Sequence, residues 1–276
     1  MKESPISRFG PYPAGMSKHF KLFDVIQASL GELGSEEGGF RRAAAATLVI
    51  TRDGSSLRSV LTGSRVITTG FLSSRKVGCA LPFEGMNEAA LLKYCEVDTR
   101  VVYYLSQPFR FEFVLDGKKR IYIADCVRVL DDGEVEVVEV KGERTRLDDP
   151  EYFEKLAQVA EHCANLGWRF KMVTRKKLLG RKIIFDSVDL IQARRQAVIN
   201  VAPACRAIDY LEKAGGRSSL GRLAEFWGHW QVGFVALQGM MVRRWLAIDV
   251  TAPISRDSLV TTLELAPPNL LGSSGQ

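Results

Sequence analysis

Residues Phe109 to Gly142 read FRFEFVLDGKKRIYIADCVRVLDDGEVEVVEVKG. Apolar residues alternate along this stretch, and Asp116-Gly117-Lys118-Lys119 and Asp131-Asp132-Gly133-Glu134 interrupt it as turn signals. The pattern predicts a meander of three antiparallel strands. Successive residues on a strand point to opposite faces, so Ile121, Ile123, Asp125, Val127 and Val129 are expected on one face of the middle strand. Val135, Val137, Glu139 and Lys141 are expected on one face of the next, which brings Asp125 beside Glu139 and Lys141. The other face of the middle strand, with Tyr122, Ala124 and Cys126, is also apolar, so the strand is expected to be covered on both sides. Charges buried there cost several kcal/mol per ion unless something compensates. A divalent cation between the carboxylates is one compensation. The alternative is a solvated strand end with Asp125 paired to an arginine, but these charges run in register with the apolar residues instead of alternating with them.

Length and composition set the frame. The chain has 276 residues, 46% hydrophobic and 25% charged, enough for a sizeable core in two modest domains. Its formal charge of +6 and pI near 9.1 suit a polyanionic partner without demanding one. Cys79, Cys95, Cys126, Cys163 and Cys205 are odd in number and widely spaced, with no C-x-x-C, and are expected to be reduced thiols in a cytoplasmic protein. His19, His162 and His229 fall in separate elements and suggest no zinc site. The opening MKESPISRFGPYPAGMSKHF lacks an apolar segment, so no signal peptide is expected, and no run of apolar residues is long enough to predict a membrane span.

Outward from the meander, a helix is predicted over 87–96, with Asn87 as its cap and Glu88 in its first turn. Asp149 and Pro150 open a second helix, in which Phe153, Leu156, Ala160, Cys163 and Leu166 recur at three- and four-residue spacing, and Gly167 ends it. Arg169 to Thr174 is the next strand. The run RFKMVTRKKLLGRK, Arg169 to Lys182, holds seven basic residues and no acidic one. It is expected to mark a domain boundary and either to follow a DNA backbone or to serve as a solvated linker. Beyond it come a helix with Ala207, Ile208 and Leu211 stopped by Gly215-Gly216, a short helix capped by Ser218 or Ser219, a third helix including Val235 to Arg244, a strand Trp245–Val250 and a further helix from Pro253. Arg243-Arg244 are open to three readings: facing DNA, facing a protein, or lying on a polar helix face. The fold class expected is α/β, a mixed central sheet flanked by helices, plus a small C-terminal winged-helix-like helical domain. The expected divisions are a flexible arm over 1–19, the core over 20–180, the winged-helix-like domain over 181–268, and a disordered tail over 269–276.

An acidic residue on one strand, followed by a turn and then Glu139-Val140-Lys141 on the next, resembles the PD-(D/E)xK core of metal-dependent nucleases, which implies that the α/β core is restriction-endonuclease-like. The neighbouring residues sharpen the likeness. Ser74-Arg75-Lys76 precedes the helix Asn87 to Glu96, Gln107-Pro108 leads into the sheet, and Gly167-Trp168-Arg169-Phe170-Lys171-Met172-Val173-Thr174 closes the pattern. In that order they resemble TnsA-type endonuclease subunits of heteromeric transposases over residues 65–175. Ala124 stands where that family usually has a proline before the aspartate, a position that shapes the strand and does no chemistry.

The resemblance implies that Glu88, Asp125, Glu139 and Lys141 are catalytic, and that Glu88, Asp125, Glu139 and the Val140 carbonyl hold one or two Mg²⁺ or Mn²⁺ ions. Glu84 and Glu96 stand near enough to compete for the role of Glu88. Oxygen donors of this kind favour such hard cations over zinc. Arg75, Lys76, Arg175, Lys176, Lys177, Arg181 and Lys182 are the candidate DNA contacts. The function implied is hydrolysis of the 5′ ends of a transposon in double-stranded DNA. A DDE transposase resembling TnsB would cut the 3′ ends, and an AAA+ ATPase resembling TnsC would license both. Another nuclease built on the same core (restriction, junction-resolving or phage), or a non-catalytic DNA-binding assembly protein, are the alternatives.

Overall fold

The computed structural model describes residues 46–50, 56–57, 68–142, 149–266 and 270–271. The central sheet has the order β4 (Val101–Ser106), β7 (Cys126–Leu130), β8 (Val135–Lys141), β9 (Arg169–Thr174). β4, β7 and β8 run antiparallel, while β9 runs parallel to β8. A parallel neighbour requires a crossover, and helix α2 (Pro150–Asn165) supplies it. Asp149 caps α2 by accepting from the Glu151 amide at 3.1 Å, with Pro150 in the first turn. Helix α1 (Met86–Val97) covers the opposite face, so the core is a mixed sheet flanked by helices. The faces follow from strand alternation: Arg128 and Glu136 point toward Cys95 and Asp98 at the end of α1, and Glu139 points toward Tyr152 of α2.

A second sheet, of order β1 (Ala46–Ile50), β5 (Phe109–Leu115), β6 (Lys118–Ile123), adjoins the first. Asp116 and Gly117 both take left-handed backbone in the β5–β6 turn, with φ of 50° and 71°. The Asp-Gly pair is suited to that hairpin geometry. Strands β2 (Thr69–Ser73) and β3 (Ala80–Glu84) form a separate hairpin whose turn is Ser74 to Cys79.

The predicted three-strand meander is therefore corrected to four strands shared between two sheets. The middle strand breaks at Ala124–Asp125, with β6 pairing β5 on one side of the break and β7 pairing β4 and β8 on the other. Ile121, 47% exposed, does not share the buried surroundings of Val127 and Val129, at 2% and 1%. Asp125 occupies the corner rather than the middle of a covered strand.

Past β9, the basic run is helical rather than a linker. Thr174 caps α3 (Arg175–Leu179), and α4 (Lys182–Gln192) follows. Both pack on α1: the Tyr94 hydroxyl donates to the Leu178 carbonyl at 3.1 Å, and Lys93 pairs with Asp189 at 2.5 Å.

The C-terminal region then runs α5 (Val201–Lys213), β10 (Arg217–Ser219), α6 (Leu220–Ala224), α7 (Trp230–Val242), β11 (Ala247–Ile248) and β12 (Leu259–Thr261), with sheet order β10-β12-β11. Gly215 and Gly216 end α5 with positive φ, and the Ser219 hydroxyl caps α6. The helix expected from Pro253 is absent; residues 253–258 are loop and turn leading into β12. One continuous apolar core runs from Leu72 through to Leu271, across the expected boundary near residue 180. Leu270 and Leu271 lie in the expected tail, yet they are docked: the Leu270 amide donates to Asp98 at 2.8 Å and Leu271 is fully buried. The expected arm over 1–19 lies outside the described residues.

Candidate active site

The corner at Asp125 gathers most of the residues singled out above. The β7–β8 ladder pairs Cys126 with Val138, so one step further places Asp125 across from Glu139. One oxygen of Asp125 accepts the Val140 amide at 2.8 Å, which ties the corner to the Glu-Val-Lys strand. Burial, then Glu139, then Glu88 raise the Asp125 carboxyl well above the usual carboxylate range, with the Val140 N–H and Lys141 opposing them only in part. The three carboxylates therefore share one electrostatic neighbourhood, drawn from a strand corner, a strand end and the start of a helix.

Glu139 is held from three sides. Tyr122 donates to Oε2 at 2.9 Å, Tyr152 donates to Oε1 at 2.9 Å, and the Lys141 ammonium bonds Oε1 as well. Lys141 also donates to the Tyr152 hydroxyl and lies 4.3 Å from the centre of its ring. Burial pulls the Lys141 ammonium downward, but Glu139 and Tyr152 outweigh it and hold the group above the ordinary lysine range. Lys141 is thus a cation at neutral pH. Burial and Glu139 push Tyr122 well above the usual phenol range and raise Tyr152, so both tyrosines are neutral donors.

Glu88 sits in the first turn of α1, but Asn87 does not cap that helix. Gly85 does, at φ 97°, a backbone that glycine takes readily. Glu88 Oε2 reaches back to the Glu84 amide at 2.8 Å, so the side chain also closes the entry into its own helix. Glu88, Val140 and Arg175 line a cavity of about 290 Å³ together with Thr68, Glu84 and Gly85 to Asn87. Of the competing glutamates, Glu84 lies in this lining, while Glu96 is remote in role: it is fully buried and accepts from Ser74 Oγ, the Arg75 amide and the Tyr104 hydroxyl at 2.7, 2.7 and 2.6 Å.

Those contacts also relocate the Ser-Arg-Lys turn. Lys76 is not an exposed phosphate contact. Its ammonium is buried and donates to the carbonyls of Cys95, Asp98 and Val101, which closes off the C-terminal end of α1. Arg75 alone of the pair is exposed. Along α3 and α4, Arg175, Lys176, Arg181 and Lys182 are exposed and Lys177 is half-buried; Lys182 pairs with Asp186 and Arg181 donates to the Leu270 carbonyl. Arg243 and Arg244 face the protein's own backbone. Arg243 donates to the carbonyls of Arg195, Ala197 and Gly239, and Arg244 to Thr99.

Tyr122 and Tyr152 were missed by sequence reasoning. Tyr122 reads as an apolar strand residue, and Tyr152 as an ordinary helix residue beside the more apolar Phe153, which turns out 56% exposed. Their signal is visible only once a partner carboxylate is placed.

Residues 98–175 match the family model for the TnsA-like endonuclease N terminal. The TnsA-like segment contains Asp125, Glu139, Lys141 and both tyrosines, and it begins after Glu88. No curated protein matches the chain.

Does this site suit a divalent cation? Among the described residues, no three His, Cys, Asp or Glu side chains close into a ready ligand group. The donor chemistry does suit a hard cation, because the candidates are carboxylate and carbonyl oxygens. The repulsion at Asp125 is also of the kind that a cation would relieve. In donor type the residues fit, and Glu139 is also engaged by Lys141 and the two tyrosines.

Among the described residues, no helix is long and apolar enough to cross a membrane.

Proposed function

We propose that the chain is the metal-dependent DNA endonuclease subunit of a heteromeric transposase and hydrolyses the 5′ ends of the transposon. A DDE transposase would cut the 3′ ends and an AAA+ ATPase would regulate both. The observation that carries this reading is the juxtaposition of Asp125 with Glu139 and Lys141 at one strand corner, within the segment similar to TnsA-like endonucleases.

Asp125, Glu139, Glu88 and the Val140 carbonyl would hold Mg²⁺ or Mn²⁺. When bound, the ion lowers the pKa of a coordinated water and neutralises charge on the phosphate. The protein supplies the rest. Val140 N–H fixes one Asp125 oxygen and so sets the orientation of the whole carboxylate. Tyr122 and Tyr152 orient Glu139 and remain neutral while doing so. Lys141, cationic at neutral pH, presents its charge where an attacking water or a phosphorane oxygen would lie. Arg175, in the cavity lining with Glu88 and Val140, is positioned for a backbone phosphate of the same strand.

The C-terminal order of helix, strand, helix, helix and two strands supports a winged-helix reading for residues 201–261. Its third helix, α7, is buried from Ala236 to Val242, so that face is unavailable to a DNA groove. The N-terminal turn of the same helix, with Gln231 and Val232 exposed, is the part left open to DNA or to a partner.

The test is reconstituted cleavage of transposon ends with the partner transposase and ATPase. Asp125→Ala and Glu139→Ala should each lose 5′-strand cutting by more than the roughly 10–100-fold typical of residues that merely support metal ligands. The 3′ cuts by the partner should persist. Cleavage by either variant at the normal rate refutes the assignment.

A further inference from the structure

The corner that presents Asp125 is doubled. β4 leaves the central sheet at Ser106 and β5 begins in the second sheet at Phe109, while β6 ends at Ile123 and β7 begins at Cys126. The ladders Ser106↔Cys126 and Arg110↔Ile123 bracket the gap, so two chain segments pass from one sheet to the other side by side. Across that gap run two backbone bonds: the Gln107 amide donates to the Asp125 carbonyl at 3.1 Å, and the Ala124 amide to the Phe109 carbonyl at 3.3 Å. Pro108 has no amide to give. Gln107 is therefore the residue of the β4–β5 bend that grips Asp125 itself.

Gln107 is unusual in its own right. It is fully buried, and its backbone takes φ 48°, a left-handed conformation uncommon for a residue with a side chain and further disfavoured ahead of proline. A conformation of this kind persists only where the surroundings hold it. Those surroundings are on hand: the side-chain carbonyl accepts from Ser56 Oγ at 3.1 Å, and the main-chain carbonyl accepts the Leu57 amide at 3.0 Å. Residues 56–57, which follow β1, thus lock Gln107, and Gln107 in turn holds the main chain of Asp125. The Asp125 side chain is held from the other direction by the Val140 amide.

We infer that Gln107 is a positioning residue for Asp125. It fixes the main chain at the corner so that the carboxylate meets Val140 N–H and faces Glu139. This role rests on the nuclease reading above. Gln107 acts through the aspartate whose main-chain carbonyl it grips.

Three variants separate side chain from backbone. Gln107→Gly keeps the amide and adopts the left-handed turn freely, but loses the clamp to Ser56. Gln107→Ala loses the clamp and retains the strain. Gln107→Asn tolerates the turn and keeps a shorter amide. The first readout is amide hydrogen exchange in the metal-free protein. In the Gly and Ala variants, exchange at Val140 should rise about tenfold or more relative to wild type, while Val137 in the middle of β8 is unchanged. The second is Mn²⁺ affinity by calorimetry, expected to fall about tenfold in both. The third is end cleavage with the partners, where kcat should fall about tenfold at unchanged DNA affinity and Asn should recover part of each loss. If the Ala variant does not fold, the Gly variant alone decides.

Gln107 variants that fold, exchange at Val140, bind Mn²⁺ and cut like wild type overturn this role while leaving the nuclease reading intact. A loss of stability with Val140 exchange and kcat unaltered likewise reduces Gln107 to a structural residue. A wild-type protein that neither binds Mn²⁺ nor cuts overturns the nuclease reading and this role together.

Discussion

The Tyr152 hydroxyl donates to Glu139 at 2.9 Å while receiving a bond from the ammonium of Lys141. A helix that the chain enters only after the Glu-Val-Lys strand thereby sets the relative placement of the two residues of that motif. Tyr152→Phe keeps the ring under the ammonium and deletes both bonds. A hydrogen bond to a charged group contributes about 1.5–3 kcal/mol, so cleavage should drop on the order of tenfold to a hundredfold. Thermal stability should fall as well, by less than that figure, because the group is half-buried and the ring remains. Single-turnover rates of wild type and variant make the comparison, and equal rates would remove Tyr152 from the site.

Asp125 links this geometry to pH. Burial, Glu139 and Glu88 raise its folded value well above its ordinary one. Between those two values the folded protein carries a proton that the unfolded chain has lost, so the Asp125 contribution to stability falls as pH rises through that window. Above the folded value the full cost of the buried charge is present. In the absence of divalent ions at pH 8, Asp125→Asn should therefore melt higher than wild type, by roughly 2–4 °C if the relief is about 1 kcal/mol in a protein of this size. Mg²⁺ should raise the melting temperature of wild type and leave the Asn variant where it was. A less stable Asn variant in chelator at pH 8 contradicts the uncompensated charge on which the cation argument rests.

The elements legible in the sequence were those whose signals are local. Asp-Gly turns, the Asp149-Pro150 start and the Gly167 stop each depend on a few neighbouring residues, and each was found where expected. What the sequence concealed depends on a second sheet or on a distant helix. Alternation continues unbroken through Ile123, Asp125 and Val127, so nothing in the pattern reports that the chain changes sheets there; only the pairing partners do. Glu136 falls on the face of β8 opposite Val135, Val137 and Glu139. It is 1% exposed, because α1 and α3 cover that face and Arg128, itself fully buried, pairs with it through Nε at 2.5 Å. The Ser-Arg-Lys turn reads as a basic loop for the same reason: the carbonyls that receive Lys76 come from residues 19 to 25 positions away.

That difference can be measured at Lys76. Lys76→Met removes the ammonium and leaves three buried carbonyls with one partner fewer each. Losing a partner from a buried polar network costs about 1–3 kcal/mol, more when the group is charged. The expected result is a clear drop in melting temperature with no change in the salt dependence of DNA binding by the protein that remains folded. A normal melting temperature with weakened, less salt-dependent DNA binding would restore Lys76 as a phosphate contact.

Arg175 and Lys182 offer the converse comparison on the basic helices. Arg175 is exposed and lines the cavity that holds Glu88 and Val140, so a strand placed at the carboxylates passes its guanidinium. Lys182 is exposed too, but its charge is already answered by Asp186 at 2.6 Å, one helical turn on. Each phosphate contact contributes close to one unit to the slope of log affinity against log salt. Arg175→Ala should therefore lower that slope by about 0.9 and weaken binding to duplexes of any sequence alike. Lys182→Ala should alter it much less. Equal effects of the two substitutions would mean that the DNA follows the general basic surface of α3 and α4, and that the Glu88 cavity is not where the backbone enters.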